Sequence, residues 1–326
     1  MSETVVGAGD LDEAVIDVAV AGGTLHAVRW GSADPDAPVV LALHGVTANH
    51  LCWAPTARRL PECRFLAPDL RGRGGSGALP GPFGMAAHAD DAVALLDAQQ
   101  VDKAVVVGHS MGGFAALVFA QRHPERVERL LLVDGGPPMP LSPGLDPDAA
   151  LQAVIGPAAQ RLSMTFRSRE GYLDLWRQHP AMADWNDDIA RYLHYDLVGA
   201  EPELRSSCSI DAVRGDTIDL TTGTALVEAL ALLTDPARPV PLLRAPFGLM
   251  AEPGGLYTPE VVAGWAGAFP ALDVTAVPGT NHYSILLGSD GADAVAGAIR
   301  SLAAGQQGQQ HEHSDAKEGS DGRDRH

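Results

Sequence analysis

The sequence predicts an α/β protein: a doubly wound, mostly parallel sheet with a helical segment inserted between two of its strands. Three observations carry this. Short branched apolar runs alternate with helical stretches over residues 1–137 and again over residues 240–304. Residues 138–239 break that rhythm, with no convincing buried strand but helical patches and much of the aromatic content. Finally, Val105-Val106-Val107 ends abruptly in Gly108-His109-Ser110-Met111-Gly112 and passes into an Ala-rich helix, the strand–turn–helix context of a nucleophile elbow.

In chain order, residues 16–30 alternate around Gly22-Gly23 and read as a β-hairpin. Val39-Val40-Leu41-Ala42-Leu43 is a central strand ending at His44-Gly45-Val46-Thr47, and residues 64–69 form the next strand. Ala86, Ala89, Val93, Leu95 and Leu96 have helical spacing within residues 86–99. The elbow strand and helix follow, then a strand over residues 127–134. Helical patches cover residues 146–159, 169–177, 187–197 and 224–233 and read as a cap. Alternation resumes with a strand at Phe247-Gly248-Leu249-Met250-Ala251, a helix near residues 259–269, a strand at 272–277 and a last helix near 292–303. No internal repeat is found. Residues 305–326 form an acidic, His-containing tail; from Gln306 on it has no apolar side chain larger than alanine, which predicts disorder.

The chain has 326 residues, 46% of them apolar and 20% charged, enough for a large globular core. A net charge of −18 argues against a nucleic-acid partner, because phosphate binding needs a basic surface. No apolar run reaches the roughly 18 residues of a membrane span. Residues 1–6 lack a basic start and a long apolar stretch, so they do not read as a secretory signal. Cys52, Cys63 and Cys208 match neither a disulfide framework nor a zinc site, and no metal site is expected. A reduced, cytoplasmic protein is the expectation. Gly72-Arg73-Gly74-Gly75-Ser76-Gly77 matches a dinucleotide fingerprint literally, yet Pro80-Gly81-Pro82 follows, so no helix opens there and a flexible loop is expected.

Ser110 is the expected nucleophile, held at strained φ/ψ, with Gly108 and Gly112 where a Cβ would collide with the neighbouring strand or helix. A serine needs a histidine base to lose its proton at neutral pH. His109 sits at a position that points away from the reacting face and is expected to be packed below the site. His282, in the loop after the last strand (Pro278-Gly279-Thr280-Asn281-His282), is the expected general base. Backbone N–H groups of Val46 and Met111 are the expected oxyanion hole.

These residues resemble the α/β-hydrolase superfamily. His44-Gly45, Asp69-Leu70-Arg71-Gly72-Arg73-Gly74-Gly75-Ser76, Gly108-His109-Ser110-Met111-Gly112 and Gly279-Thr280-Asn281-His282 fall in that family's order and spacing, over roughly residues 15–303. The resemblance implies a capped serine hydrolase of the esterase or lipase type, with an acyl-enzyme intermediate and no cofactor. The chain departs from the family at the acid. The usual aspartate position after the post-cap strand holds Gly254, within Ala251-Glu252-Pro253-Gly254. Asp134, ending the strand after the elbow helix, is the favoured acid, and Glu252 the alternative. Thr47, Trp53, Phe166, Trp176 and Trp185, with Tyr172 and Tyr195, are the expected pocket residues for a small, mainly apolar substrate. The expectation is carboxylic-ester hydrolysis. A C–C bond or lactone hydrolase on the same triad and a non-catalytic small-molecule binder are the alternatives. The oligomeric state is not legible in the sequence.

Overall fold

In the computed structural model, which describes residues 11–139, 149 and 160–318 (305–318 as backbone), the N-terminal hairpin is formed by β1 (Ala14–Val20) and β2 (Gly23–Gly31). β2 pairs antiparallel with β4 (Arg64–Pro68). Beyond it every pairing in the sheet is parallel: β4 with β3 (Val39–Leu43), β3 with β5 (Ala104–His109), β5 with β6 (Val127–Val133), β6 with β9 (Val240–Arg244) and β9 with β10 (Leu272–Ala276). The result is an 8-stranded sheet in the order β1-β2-β4-β3-β5-β6-β9-β10.

The central strands β3, β4 and β5 are mostly apolar because both of their faces are covered. Val106 packs with the helices Met85–Ala98 and Met111–Arg122 on one face. Its neighbour Val107, pointing the other way, packs with Val295 and Ile299 of the last helix.

Between β6 and β9 lie the helices Arg169–Arg177, Asp187–Asp196, Ile210–Thr222 and Thr224–Ala229, and a small ladder of β7 (Leu197–Val198) and β8 (Arg205–Ser206). Of the patch expected at 146–159, all but the helical residue 149 lies outside the described residues. Leu226, Ala229 and Leu233 pack into the sheet's own core beside Phe114 and Leu117, so the end of this inserted segment belongs with the sheet.

Three expectations are corrected. The strand expected at residues 247–251 is instead β9, Val240–Arg244. Pro241 disguised it; β6 pairs only with Leu242 and Leu243, so the missing N–H removes no ladder bond on that side. Phe247 and Met250 lie in the following loop, both exposed. The glycine loop is not flexible: it wraps the buried Asp69, whose Oδ2 accepts from Gly75 N at 2.7 Å, and a Cβ on Gly74 would lie 2.2 Å from that carboxylate. The last helix runs from Ser289 to Glu318, through the first part of the stretch expected to be disordered. Buried Ala292, Val295, Ile299 and Ala303 anchor its start, and the continuation, with four glutamines, two glutamates and a lysine over residues 305–318, adds good helix formers to an existing helix. Residues 319–326 lie outside the described residues.

Candidate active site

Ser110 stands between β5 and the helix Met111–Arg122 with φ 54° and ψ −123°, a conformation non-glycine residues avoid. Its surroundings force this. A Cβ on Gly108 would lie 2.1 Å from Gly112 O, and one on Gly112 2.0 Å from Leu43 O, so strand and helix meet backbone to backbone. Ser110 N donates to Val133 O at 3.0 Å and Ser110 O accepts from Gly113 N at 2.9 Å. The half-buried side chain faces a cavity of about 480 Å³.

Asp134 follows β6 at the next strand end and is fully buried, with φ 44°. Its backbone N donates to Leu243 O at 2.7 Å, and its Oδ1 accepts from Ala245 N at 3.1 Å, so β9 fixes the carboxylate. Oδ2 is 2.7 Å from His282 Nδ1. Glu252, the alternative acid, is exposed and its carboxylate folds onto its own turn, accepting from Met250 N at 2.7 Å. The loop carrying His282 is pinned by Asn281, which accepts from Tyr283 N and Ser284 N and donates to Ala181 O in the inserted segment. His109 lies beside His282, with ring centroids 4.7 Å apart and its Nε2 2.9 Å from His282 O. Burial, with His282 adjacent, keeps His109 neutral, its pKa well below the ordinary value.

The loop after β3 is equally constrained. His44 Nε2 accepts from Leu70 N at 2.9 Å, so its proton is on Nδ1, which donates to Gly45 O at 2.8 Å. Burial lowers its pKa to about 3. A Cβ on Gly45 would stand 3.2 Å from Ser110 Cβ, so any larger residue crowds the serine. Val46 O accepts from Arg73 Nε at 2.9 Å. Met111 opens a 12-residue helix whose first N–H groups have no intrahelical partner.

Val46, Thr47, His109, Ser110, Trp176, Glu252 and His282 line one cavity. Three expected pocket residues do not. Trp53 is fully buried under the sheet beside Phe65 because it sits on a short helix facing the core. Phe166 packs edge-on against Tyr172, and Trp185 takes the Arg177 guanidinium 5.0 Å from its ring. Tyr172 and Tyr195 are also occupied elsewhere, with hydroxyls donated to Asp196 and Asp69 at 2.5 and 2.7 Å. Sequence reasoning missed Arg161, Tyr192 and Leu286 in the lining. Nothing local marks them, since distant elements bring them together. It also missed the buried Arg73–Asp216 pair, 2.5 Å apart, which ties the glycine loop to the helix Ile210–Thr222. His26, His50 and Asp69 bring ligand atoms within 4.8 Å of one another. The Asp69 oxygens, however, already accept from His50 N, His50 Nδ1, Gly75 N and the Tyr195 hydroxyl, so the trio is a hydrogen-bonding hub. Among the described residues no single helix is long and apolar enough to cross a membrane.

Residues 38–191 match the family described as the alpha/beta hydrolase fold. Lipase LipV of Mycobacterium tuberculosis is 41% identical over 110 residues, 34% of this chain and 41% of that protein. The 2-hydroxymuconate semialdehyde hydrolase of Pseudomonas sp. (strain CF600) is 37% identical over 113 residues, 33% of this chain and 40% of that protein. The match thus spans about two-fifths of each relative's length. Among solved structures, E-2-(acetamidomethylene)succinate hydrolase superposes with TM-score 0.69 at 22% identity, covering 89% of this chain and 98% of that one. The thioesterase domain from the curacin biosynthetic pathway gives TM-score 0.69 at 21% identity, covering 89% and 99%. With this sheet order, this strained serine turn and these matches, the chain has the alpha/beta-hydrolase fold, and residues 38–191 carry the match to that family.

Proposed function

We propose that the protein is a serine hydrolase acting on a carboxylic ester or related acyl bond of a small substrate. The observation that carries this reading is the 2.7 Å contact between the buried Asp134 Oδ2 and His282 Nδ1, behind the cavity that His282 lines together with Ser110. With Nδ1–H donated to the carboxylate, the lone pair of His282 lies on Nε2, the nitrogen a general base must offer. Ser110 Oγ attacks the acyl carbon and His282 takes its proton. The N–H groups of Val46 and Met111 hold the oxyanion, with the helix N-terminus behind Met111 adding positive potential. His282 then protonates the leaving group. Water, activated by the same histidine, releases the acid from the Ser110 acyl-enzyme.

Residues of the inserted segment, among them Trp176, His179 and Tyr192, line the cavity together with Val46 of the loop after β3 and Leu286 of the helix Ser284–Leu287, which supports a cap role for this segment. The lipase and semialdehyde hydrolase names of the relatives agree with hydrolysis. Intact-mass analysis after treatment with a fluorophosphonate tests the reading. One adduct on the native chain, absent from Ser110→Ala, is expected; a folded protein that takes no adduct refutes it.

A further inference from the structure

We propose that Arg161 forms an anion subsite in the cavity, making the preferred substrate a half-acid: an acyl compound with a free carboxylate at the end remote from the bond Ser110 attacks. The inference rests on the hydrolase reading for the word substrate, but the binding it requires does not.

Arg161 is only 5% exposed and lines the same cavity as Ser110 and His282. Its hydrogen bonds to Asp196 Oδ2 (2.5 Å), the Tyr172 hydroxyl (2.8 Å) and Ser206 Oγ (3.3 Å) all leave from Nη1. Its Nε is buried without a hydrogen-bond partner. A guanidinium carries five donors in a rigid fork, and a carboxylate is the acceptor whose two oxygens match an edge of that fork. Holding the helix Asp187–Asp196 to its neighbours uses one nitrogen of Arg161, a task a lysine performs equally well. The unpartnered Nε is what a purely structural role leaves unexplained, because a buried donor without an acceptor is costly.

The surroundings favour one anionic group over several. Asp196 pairs with Arg161 through Nη1 alone, and its oxygens also accept from the Tyr172 hydroxyl at 2.5 Å and Ser206 Oγ at 2.8 Å, which leaves the rest of the fork uncovered. Trp176, also in the lining, has its ring 5.3 Å from the Arg161 guanidinium carbon, a cation–π contact. Glu252 in the same lining and the −18 charge of the chain oppose a multiply charged ligand. The remaining lining is apolar, with Leu175, Leu286 and Leu287 to cover a carbon chain.

The test is calorimetric titration of Ser110→Ala protein with monomethyl esters of succinic through suberic acid, each paired with its dimethyl ester, at about 150 mM salt so that long-range repulsion is screened. At least one half-ester is expected to bind about tenfold more tightly than its diester. Arg161→Met is expected to erase that preference while leaving diester affinity unchanged, and Arg161→Lys to keep part of it. Equal binding of half-ester and diester across the series overturns the proposal. So does an Arg161→Met protein that loses affinity for both by the same factor, the mark of a scaffold residue. If Arg161→Met fails to fold, the comparison in the parent protein and Arg161→Lys decide. Because no turnover is needed, absence of fluorophosphonate labelling sinks the hydrolase reading and leaves this result standing.

Discussion

Replacing Asp134 by asparagine alters one contact of the site and leaves its frame in place. The asparagine oxygen still accepts from Ala245 N, now 3.1 Å away, and the backbone N–H still donates to Leu243 O. At the Oδ2 position, 2.7 Å from His282 Nδ1, the substitution puts an NH₂ group that donates instead of accepting. The imidazole therefore takes the other tautomer, with its proton on Nε2 and no lone pair toward Ser110. A mis-set tautomer costs on the order of 10³–10⁴ in turnover, about 4–5.5 kcal/mol of barrier. Glu252→Gln, by contrast, disturbs an exposed carboxylate bonded to Met250 N and is expected to change turnover by no more than about threefold. The assay is steady-state hydrolysis of a p-nitrophenyl acyl ester near neutral pH, with circular dichroism confirming that both variants fold. A Glu252→Gln loss equal to or above the Asp134→Asn loss refutes the assignment of the acid.

Two further outcomes follow from the same geometry. Gly108→Ala places a methyl 2.1 Å from a backbone oxygen that cannot rotate away, so the elbow must shift; a loss of roughly 1–3 kcal/mol is expected, seen as a Tm lower by about 1.5–4.5 °C, and an unchanged Tm refutes the contact. Stability is also expected to fall on acidification before the carboxylates titrate. Burial depresses the His44 pKa to about 3 from 6.5, so the unfolded chain binds more protons between those values, and stability fully present above pH 6.5 is lost as pH falls toward 3. At about 1.36 kcal/mol per unit over about 1.5 units, His44 alone removes about 2 kcal/mol by pH 5, and His109, also held neutral by burial, adds to it. Urea midpoints that stay level from pH 7 to pH 5 refute this.

The sequence by itself determined the sheet and the strained serine turn at the end of β5. Continuous apolar runs such as Val105-Val106-Val107 can be stable only between two covered faces, and Gly108-x-Ser110-x-Gly112 has one compatible local geometry. These signals are short-range, so they survive in a linear string. Strand β9 escaped because Pro241 reads as a breaker, and only the pairing register shows that its missing N–H is harmless on the β6 side. The tail reads as disordered from composition alone, whereas the anchored helix before it carries the backbone to Glu318. The contact of Asp134 with His282 spans 148 residues, and Arg161 reaches the cavity from a segment with no motif at all. Which aromatic lines the cavity was likewise a matter of packing: Trp53 and Trp176 look alike in the string, yet one faces the core and the other the site. Local chain chemistry sets which elements form and where the backbone must strain. Only the folded sheet, by fixing which strand ends are neighbours, decides which side chains meet there.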